Sequence, residues 1–170
     1  MSMRSTPPAI VAIDPGVNGG FAISNIAIAA YPMPKAMTDI LTLLRDIAEA
    51  CDNNLIAVME EPPKFIAGMQ TAQSAMATLH ENVGYLKGVI DALGIPLKLV
   101  KPKVWQQAIE AGDKKSYGNK WKAHLKDMAL RRFPYLGKKV TLKTADALLI
   151  LAYVIDSKPT KKEHSNGKLH

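Results

Sequence analysis

The chain has 170 residues, 48% hydrophobic and 22% charged, with a formal net charge of +7 and one cysteine, Cys51. That length fits one domain with a proper core, and a lone cysteine excludes an intrachain disulfide and makes a reducing compartment the default. Residues 1–8 carry no apolar signal-peptide core and no run approaches a membrane span, so a cytoplasmic location without a membrane partner is expected.

In chain order, Ala9–Ile13 reads as a buried strand that runs into Asp14-Pro15-Gly16, turns through Gly19-Gly20 and resumes as Gly20–Ser24 and Ala27–Tyr31, its antiparallel continuations. Thr38–Cys51 places Ile40, Leu43, Leu44, Ile47 and Ala48 at helical spacing, with Thr38 as N-cap. Asn53-Asn54 ends that helix. Leu55–Met59 is a second buried strand, stopped by Pro62-Pro63. Gln70–Leu93 has a long helical pattern closed by Gly94 and Pro96, and Pro96–Val100 reads as a short strand. Pro102 suits the first turn of a helix over Lys103–Ala111, and Gly112–Gly118 reads as a polar loop. Asn119–Phe133 predicts a basic helix and Thr144–Ile155 an apolar one, with Thr144 as cap. Residues 157–170 are expected to form a disordered polar tail behind a single domain over 1–156.

This order predicts an α/β fold, a mixed sheet with helices on its faces. The helix between Ala27–Tyr31 and Leu55–Met59 is long enough for a crossover that sets Leu55–Met59 parallel to Ala9–Ile13. Asp14 and Glu60 would then stand at the carboxyl ends of neighbouring parallel strands, the edge where open α/β sheets bind ligands. The final helix could aim Asp146 at the same spot. An unpartnered acid inside the apolar run Ala145–Ile155 is costly, so Asp146 calls for a partner or a metal. Three carboxylates suit Mg²⁺, which takes oxygen ligands, and two such ions about 3.5–4 Å apart can drive in-line phosphodiester cleavage. Taken singly, the Asp14 turn is also compatible with an ordinary turn, and Glu60-Glu61 with a solvated strand end. Cys51 lies in a helix pattern without a base and reads as packing; His80 and His124 lack metal-ligand spacing.

Charge is distributed unevenly. Between Lys98 and Lys143 eleven lysines and two arginines face three acids, a local excess of +10, while the remainder holds nine basic and twelve acidic residues. Such a stretch suits a polyanion, most simply nucleic acid, and the interleaved Trp105, Tyr117, Trp121 and Tyr135 are candidates for stacking on bases. A solvated lysine-rich face is the plainer alternative. Lys101, Lys103, Lys114, Lys115, Lys120 and Lys122 are the candidate phosphate contacts.

Ile13-Asp14-Pro15-Gly16 with Gly19-Gly20, then Met59-Glu60-Glu61, then Ala145-Asp146-Ala147-Leu148 resemble the RuvC-type Holliday junction resolvases, which have RNase H-like folds. Val100-Lys101-Pro102-Lys103-Val104-Trp105-Gln106 is similar to the phage-borne, divergent branch of that family. The resemblance implies a five-stranded mixed sheet and a homodimeric endonuclease, dependent on Mg²⁺ or Mn²⁺, that nicks four-way DNA junctions in pairs during recombination and repair. It implies Asp14 as the metal-bridging acid, Glu60 as the second-strand ligand and Asp146 as the acid of the last helix. Three residues before that acid the family usually has a further acid or a histidine; here stands Lys143, read as a scissile-phosphate contact. Phe65 resembles the aromatic that stacks or wedges at the junction centre. The rivals are another RNase H-like nuclease acting on flaps or RNA–DNA hybrids, a silent junction-binding protein, and an actin-like kinase lobe. The last lacks the second lobe needed to enclose ATP. Gly84 and Gly88, four apart on the long helix, suggest close helix packing, across a dimer or within the chain, and Met69, Met76 and Leu79 line the same element.

Overall fold

A computed structural model describes residues 6–64 and 70–157. The strands β1 (Ala9–Asp14), β2 (Gly20–Ser24), β3 (Ile28–Pro32), β4 (Leu55–Glu60) and β5 (Leu97–Val100) form one five-stranded sheet in the order β3-β2-β1-β4-β5. β1 is antiparallel to β2 and β2 to β3, while β1 to β4 and β4 to β5 are parallel. Helix α1 (Met37–Ala50) is the crossover between β3 and β4, and α2 (Gln70–Ala92) that between β4 and β5. After β5 come α3 (Pro102–Ala108), the one-turn α4 (Lys114–Tyr117), α5 (Trp121–Arg132) and α6 (Ala145–Asp156). No helix among the described residues is long and apolar enough to cross a membrane.

The expected mixed sheet with helices on its faces is what forms, and its central strands are apolar because both faces are covered. Ala9, Val11 and Ile13 of β1 pack with Ile40, Leu44, Leu86 and Ile90 of α1 and α2. Ile10 and Ala12 face the other way, onto Trp105, Trp121, Leu125 and the α6 residues Leu148–Leu151. β4 follows the same alternation, with Ala57 and Met59 toward α1 and α2 and Val58 toward α6. The period of two then sends the next residues, Asp14 and Glu60, to the α6 side.

Several local expectations are revised. Both central strands extend one residue further than predicted, so Asp14 and Glu60 are their last residues. Thr38 is not the cap of α1: the Ala36 carbonyl accepts from Asp39 and Ile40, which puts the first turn one residue ahead of it. After α1 the chain reverses through Asp52 and Asn53 at φ of 52° and 56°, a left-handed conformation that these side chains tolerate. The predicted polar loop contains α4, capped by Asp113 Oδ1 accepting from the Lys115 N–H at 3.1 Å. Gly84 and Gly88 bring nothing close: a Cβ on either would meet no atom within 4 Å. Cys51 is buried and free, a packing residue. Leu79 packs against the α1–α2 core, whereas Met69 lies outside the described residues.

Candidate active site

Asp14 and Glu60 end neighbouring parallel strands whose register, Ala12 opposite Val58 and Ile13 opposite Met59, brings the two acids side by side. The chain must leave β1 sharply to keep Asp14 at the tip. Gly16 donates its N–H to Asp14 Oδ1 at 3.2 Å, and Gly19 donates to the Gly16 carbonyl at 2.8 Å. A Cβ on Gly19 would run into the Asp14 carbonyl and stand 2.7 Å from its Cγ, so the return of the chain past the carboxylate requires glycine here. A Cβ on Gly20 would lie 2.5 Å from the Tyr31 carbonyl oxygen on the neighbouring strand β3. Asn82 of α2 holds the turn from outside, its Nδ2 donating to the Pro15 carbonyl at 2.5 Å.

The third acid arrives on α6, whose Ala145 and Ala147–Ala152 are all buried against the sheet and α5. Asp146 lies in the first turn, only 6% exposed, where the helix dipole favours an anion. Thr144 is the N-cap residue of this helix, as expected, but its side chain makes no capping bond. Its Oγ1 donates to the Lys139 carbonyl at 2.7 Å and accepts from the Thr141 N–H at 2.9 Å, fixing the loop that delivers α6 instead. One oxygen of Asp146, Oδ2, pairs with the Lys122 ammonium; the other, Oδ1, is buried with no hydrogen-bond partner.

Burial and the neighbouring carboxylates hold Asp14 and Glu60 toward their protonated forms. Desolvation first, then the Asp146 charge, raises the Asp14 pKa from 3.8 to about 6, against the opposing pull of Lys122 and the Gly16 N–H. Glu60 is raised from 4.5 to about 7, again mainly by burial, with Asp14 and Asp146 adding to it. The strongest opposing influence is Trp105, fully buried, whose Nε1–H donates to Glu60 Oε2 at 2.7 Å. For Lys122 the desolvation that lowers its pKa is outweighed by the surrounding acids, Asp146 foremost, and the net direction is up. The centre is therefore three acids around one ammonium, with Asp14 and Glu60 both sensing Asp146.

In front of it opens a cleft of about 750 Å³ lined by Asp14, Asn18, Ser74, Thr78, Lys122 and Lys143, among others. A second cleft of about 680 Å³ shares Asn18 and Lys143 and continues to Tyr31 and Lys35. Lys143 is exposed at the junction of the two, its N–H held by Thr141 Oγ1 at 3.2 Å. Chemically the donor set suits a hard divalent cation: carboxylate oxygens only, one of them buried and unpartnered. Among the described residues, however, no three of His, Cys, Asp and Glu converge closely enough to hold one ion as they stand. The cation now among the acids is Lys122.

Asp14, Glu60 and Asp146 are thus brought to one place and Lys143 to its rim. Lys101, Lys103, Lys114, Lys115 and Lys120 are exposed, on or beside α3, α4 and α5. Lys122, the sixth expected phosphate contact, lines the cleft with its ammonium paired to Asp146. The stacking expectation fails for Trp105 and Trp121, which are 0% and 5% exposed core residues. Tyr117 is exposed but already stacks on His124 at 3.8 Å between centroids, and Tyr135 is the most exposed of the four. Phe65 lies outside the described residues. Asp156 pairs with Arg132 at 2.6 Å and takes no part in the cluster. His80 and His124 bond backbone carbonyls of Pro63 and Ala111. Sequence reasoning missed Trp105 as the partner of Glu60, Lys122 as the partner of Asp146, and Asn82; nothing in their spacing links them to the acids.

No protein-family model matches the chain, and no curated protein sequence matches it either. Among solved structures, RuvC of Thermus thermophilus in complex with a Holliday junction substrate is similar at a TM-score of 0.54 and 16% identity, covering 88% of this chain and 95% of that one. A further Thermus thermophilus RuvC structure gives a TM-score of 0.47 at 15% identity over 87% and 95%. The first of these likenesses shows the fold: a mixed five-stranded sheet flanked by helices, arranged as in that RuvC.

Proposed function

We propose that this protein is a divalent-metal-dependent endonuclease that cuts branched DNA, resolving four-way junctions by paired nicks. The observation that carries this reading is that Asp14 and Glu60 end two neighbouring parallel strands and both feel the charge of the buried, half-partnered Asp146. Asp14, Glu60 and Asp146 would hold Mg²⁺ or Mn²⁺, two ions per site; such ions activate water and stabilise the leaving oxygen when bound. The protein's own part is to position and to neutralise. Trp105 orients Glu60, Gly16 and Gly19 fix Asp14, and Lys143 meets a phosphate in the cleft. Lys101, Lys103, Lys114, Lys115 and Lys120 neutralise flanking phosphates, and Phe65 contacts bases at the junction centre.

Branched DNA as substrate is supported by the RuvC whose fold this chain shares, a structure solved with a Holliday junction. The segment Val100–Gln106 is the basis for placing the chain in the divergent, phage-borne branch. We also take the protein to act as a homodimer, with the open outer face of α2 around Gly84 and Gly88 as the contact surface. One observation favours a second reading, a catalytically silent junction binder: a lysine already neutralises Asp146.

Labelled four-way junction, flap, duplex and RNA–DNA hybrid, each with Mg²⁺, Mn²⁺ or EDTA, decide between them. Metal-dependent paired nicks in the junction are expected. Junction binding without metal-dependent cutting of any substrate would select the silent binder, and cleavage of hybrid alone would select a ribonuclease.

A further inference from the structure

We propose that Lys122 is a tethered counter-ion of the acid cluster: it competes with the divalent cation for Asp146 and is released into the cleft when the cation binds. This rests on the metal-dependent reading above. The ion pair is asymmetric. The Asp146 side chain is 9% exposed and held on a buried helix, whereas that of Lys122 is 54% exposed on a flexible stem. The backbone of Lys122 is fixed, because Trp121 and Leu125 on the same helix are in the core. Of the two partners, only the lysine side chain is free to leave.

It also does half the work. Its ammonium satisfies Asp146 Oδ2 and leaves Oδ1 buried without a partner, and it brings one positive charge to a place held by three acids. A divalent cation compensates the cluster better, and each added charge counts strongly where water is excluded. Lys122 lines the same cleft as Lys143, so the displaced ammonium has somewhere to go. There it faces the position of a bound phosphodiester. Metal and polyanion binding are then linked through one side chain: whatever draws Lys122 into the cleft frees Asp146 for the ion, and the reverse. A permanent structural ion pair would show no such competition.

The test is calorimetric titration of Mn²⁺ into the full chain and into Lys122→Met, without DNA. The variant is expected to bind about tenfold or more tighter, since a competing positive charge is gone. In EDTA it is expected to melt at a lower temperature than the wild type and to gain more from Mn²⁺, because Asp146 is left bare. Lys122→Arg keeps a cation and should stay near the wild-type affinity. Should Lys122→Met not fold without metal, Lys122→Gln, which keeps a donor for Asp146 but no charge, should show the same gain. Equal or weaker Mn²⁺ binding by the uncharged variants overturns the inference and leaves the metal site standing. Absence of Mn²⁺ binding by wild type and variants alike overturns the metal site itself, and this inference with it.

Discussion

Asp14→Asn is expected to stabilise the metal-free protein while abolishing cleavage. The folded-state pKa of Asp14, about 6, lies above its ordinary 3.8, so folding favours the protonated form. The cost of ionising it is absent below about pH 4, grows as pH rises, and is complete above about pH 6. A shift of this size corresponds to about 3 kcal/mol at pH 8, from about 1.4 kcal/mol per unit. Two effects reduce what the variant recovers: the buried asparagine amide is itself desolvated, and Lys122 loses one of its attracting acids. Asparagine keeps an oxygen for the Gly16 N–H, so that hydrogen bond survives. A net gain of about 1–2 kcal/mol at pH 8 follows, or about 3–6 °C in melting temperature for a domain of this size. Differential scanning calorimetry in EDTA at pH 5 and pH 8 measures it; the advantage should fall by about 1.4 kcal/mol at pH 5 and so largely disappear. With Mn²⁺ the order should reverse, because only the wild type binds the ion. A variant that melts lower than wild type in EDTA at pH 8, or whose advantage ignores pH, would refute burial and repulsion as the dominant forces on Asp14. Cutting by the variant would sink the site assignment.

Trp105→Phe removes the strongest influence holding the Glu60 pKa down, so the acidic limb of metal binding should move to higher pH, read by Mn²⁺ titration across pH 6–9. The lost packing and hydrogen bond should also lower stability by about 1–3 kcal/mol, measured by urea unfolding. Gly19→Ala drives a methyl into Asp14 and should cost about 1–3 kcal/mol, with cleavage lost and junction affinity kept in a gel-shift assay. Lys143→Ala should weaken junction binding and reduce its salt slope by about 0.9 for one lost phosphate contact. If neither affinity, slope nor cleavage changes, Lys143 has no phosphate role.

The sheet was legible in the sequence because apolar runs bounded by Gly, Pro and Asn punctuate it, and the crossover rule turned those runs into a parallel β1–β4 pair with Asp14 and Glu60 at its ends. Asp146 was legible through its misfit in an apolar helix. The helix starts were read unevenly: Thr144 is the N-cap residue of α6 although its hydroxyl bonds the Lys139 carbonyl, whereas Thr38 falls inside the first turn of α1. Composition misled at Trp105 and Trp121: an aromatic among lysines resembles a base-stacking residue, yet amphipathic helices bury their tryptophans while the lysines stay wet. Lys122 could not be told from its neighbours, because only tertiary packing of α5 on α6 sets it against an acid 24 residues away.

The alternation along β1 and β4 has one further consequence. Apolar residues cover both faces of these strands, so hydrophobicity cannot tell one pairing register from the next. A slip of one residue would leave the core about as greasy as before, but it would turn Asp14 or Glu60 toward the apolar side chains of α1 and α2. The two carboxylates and the glycine turn behind them therefore act as the sheet's alignment marks. Insertion of a single residue into β1 would be rejected at the strand's end rather than in its apolar middle.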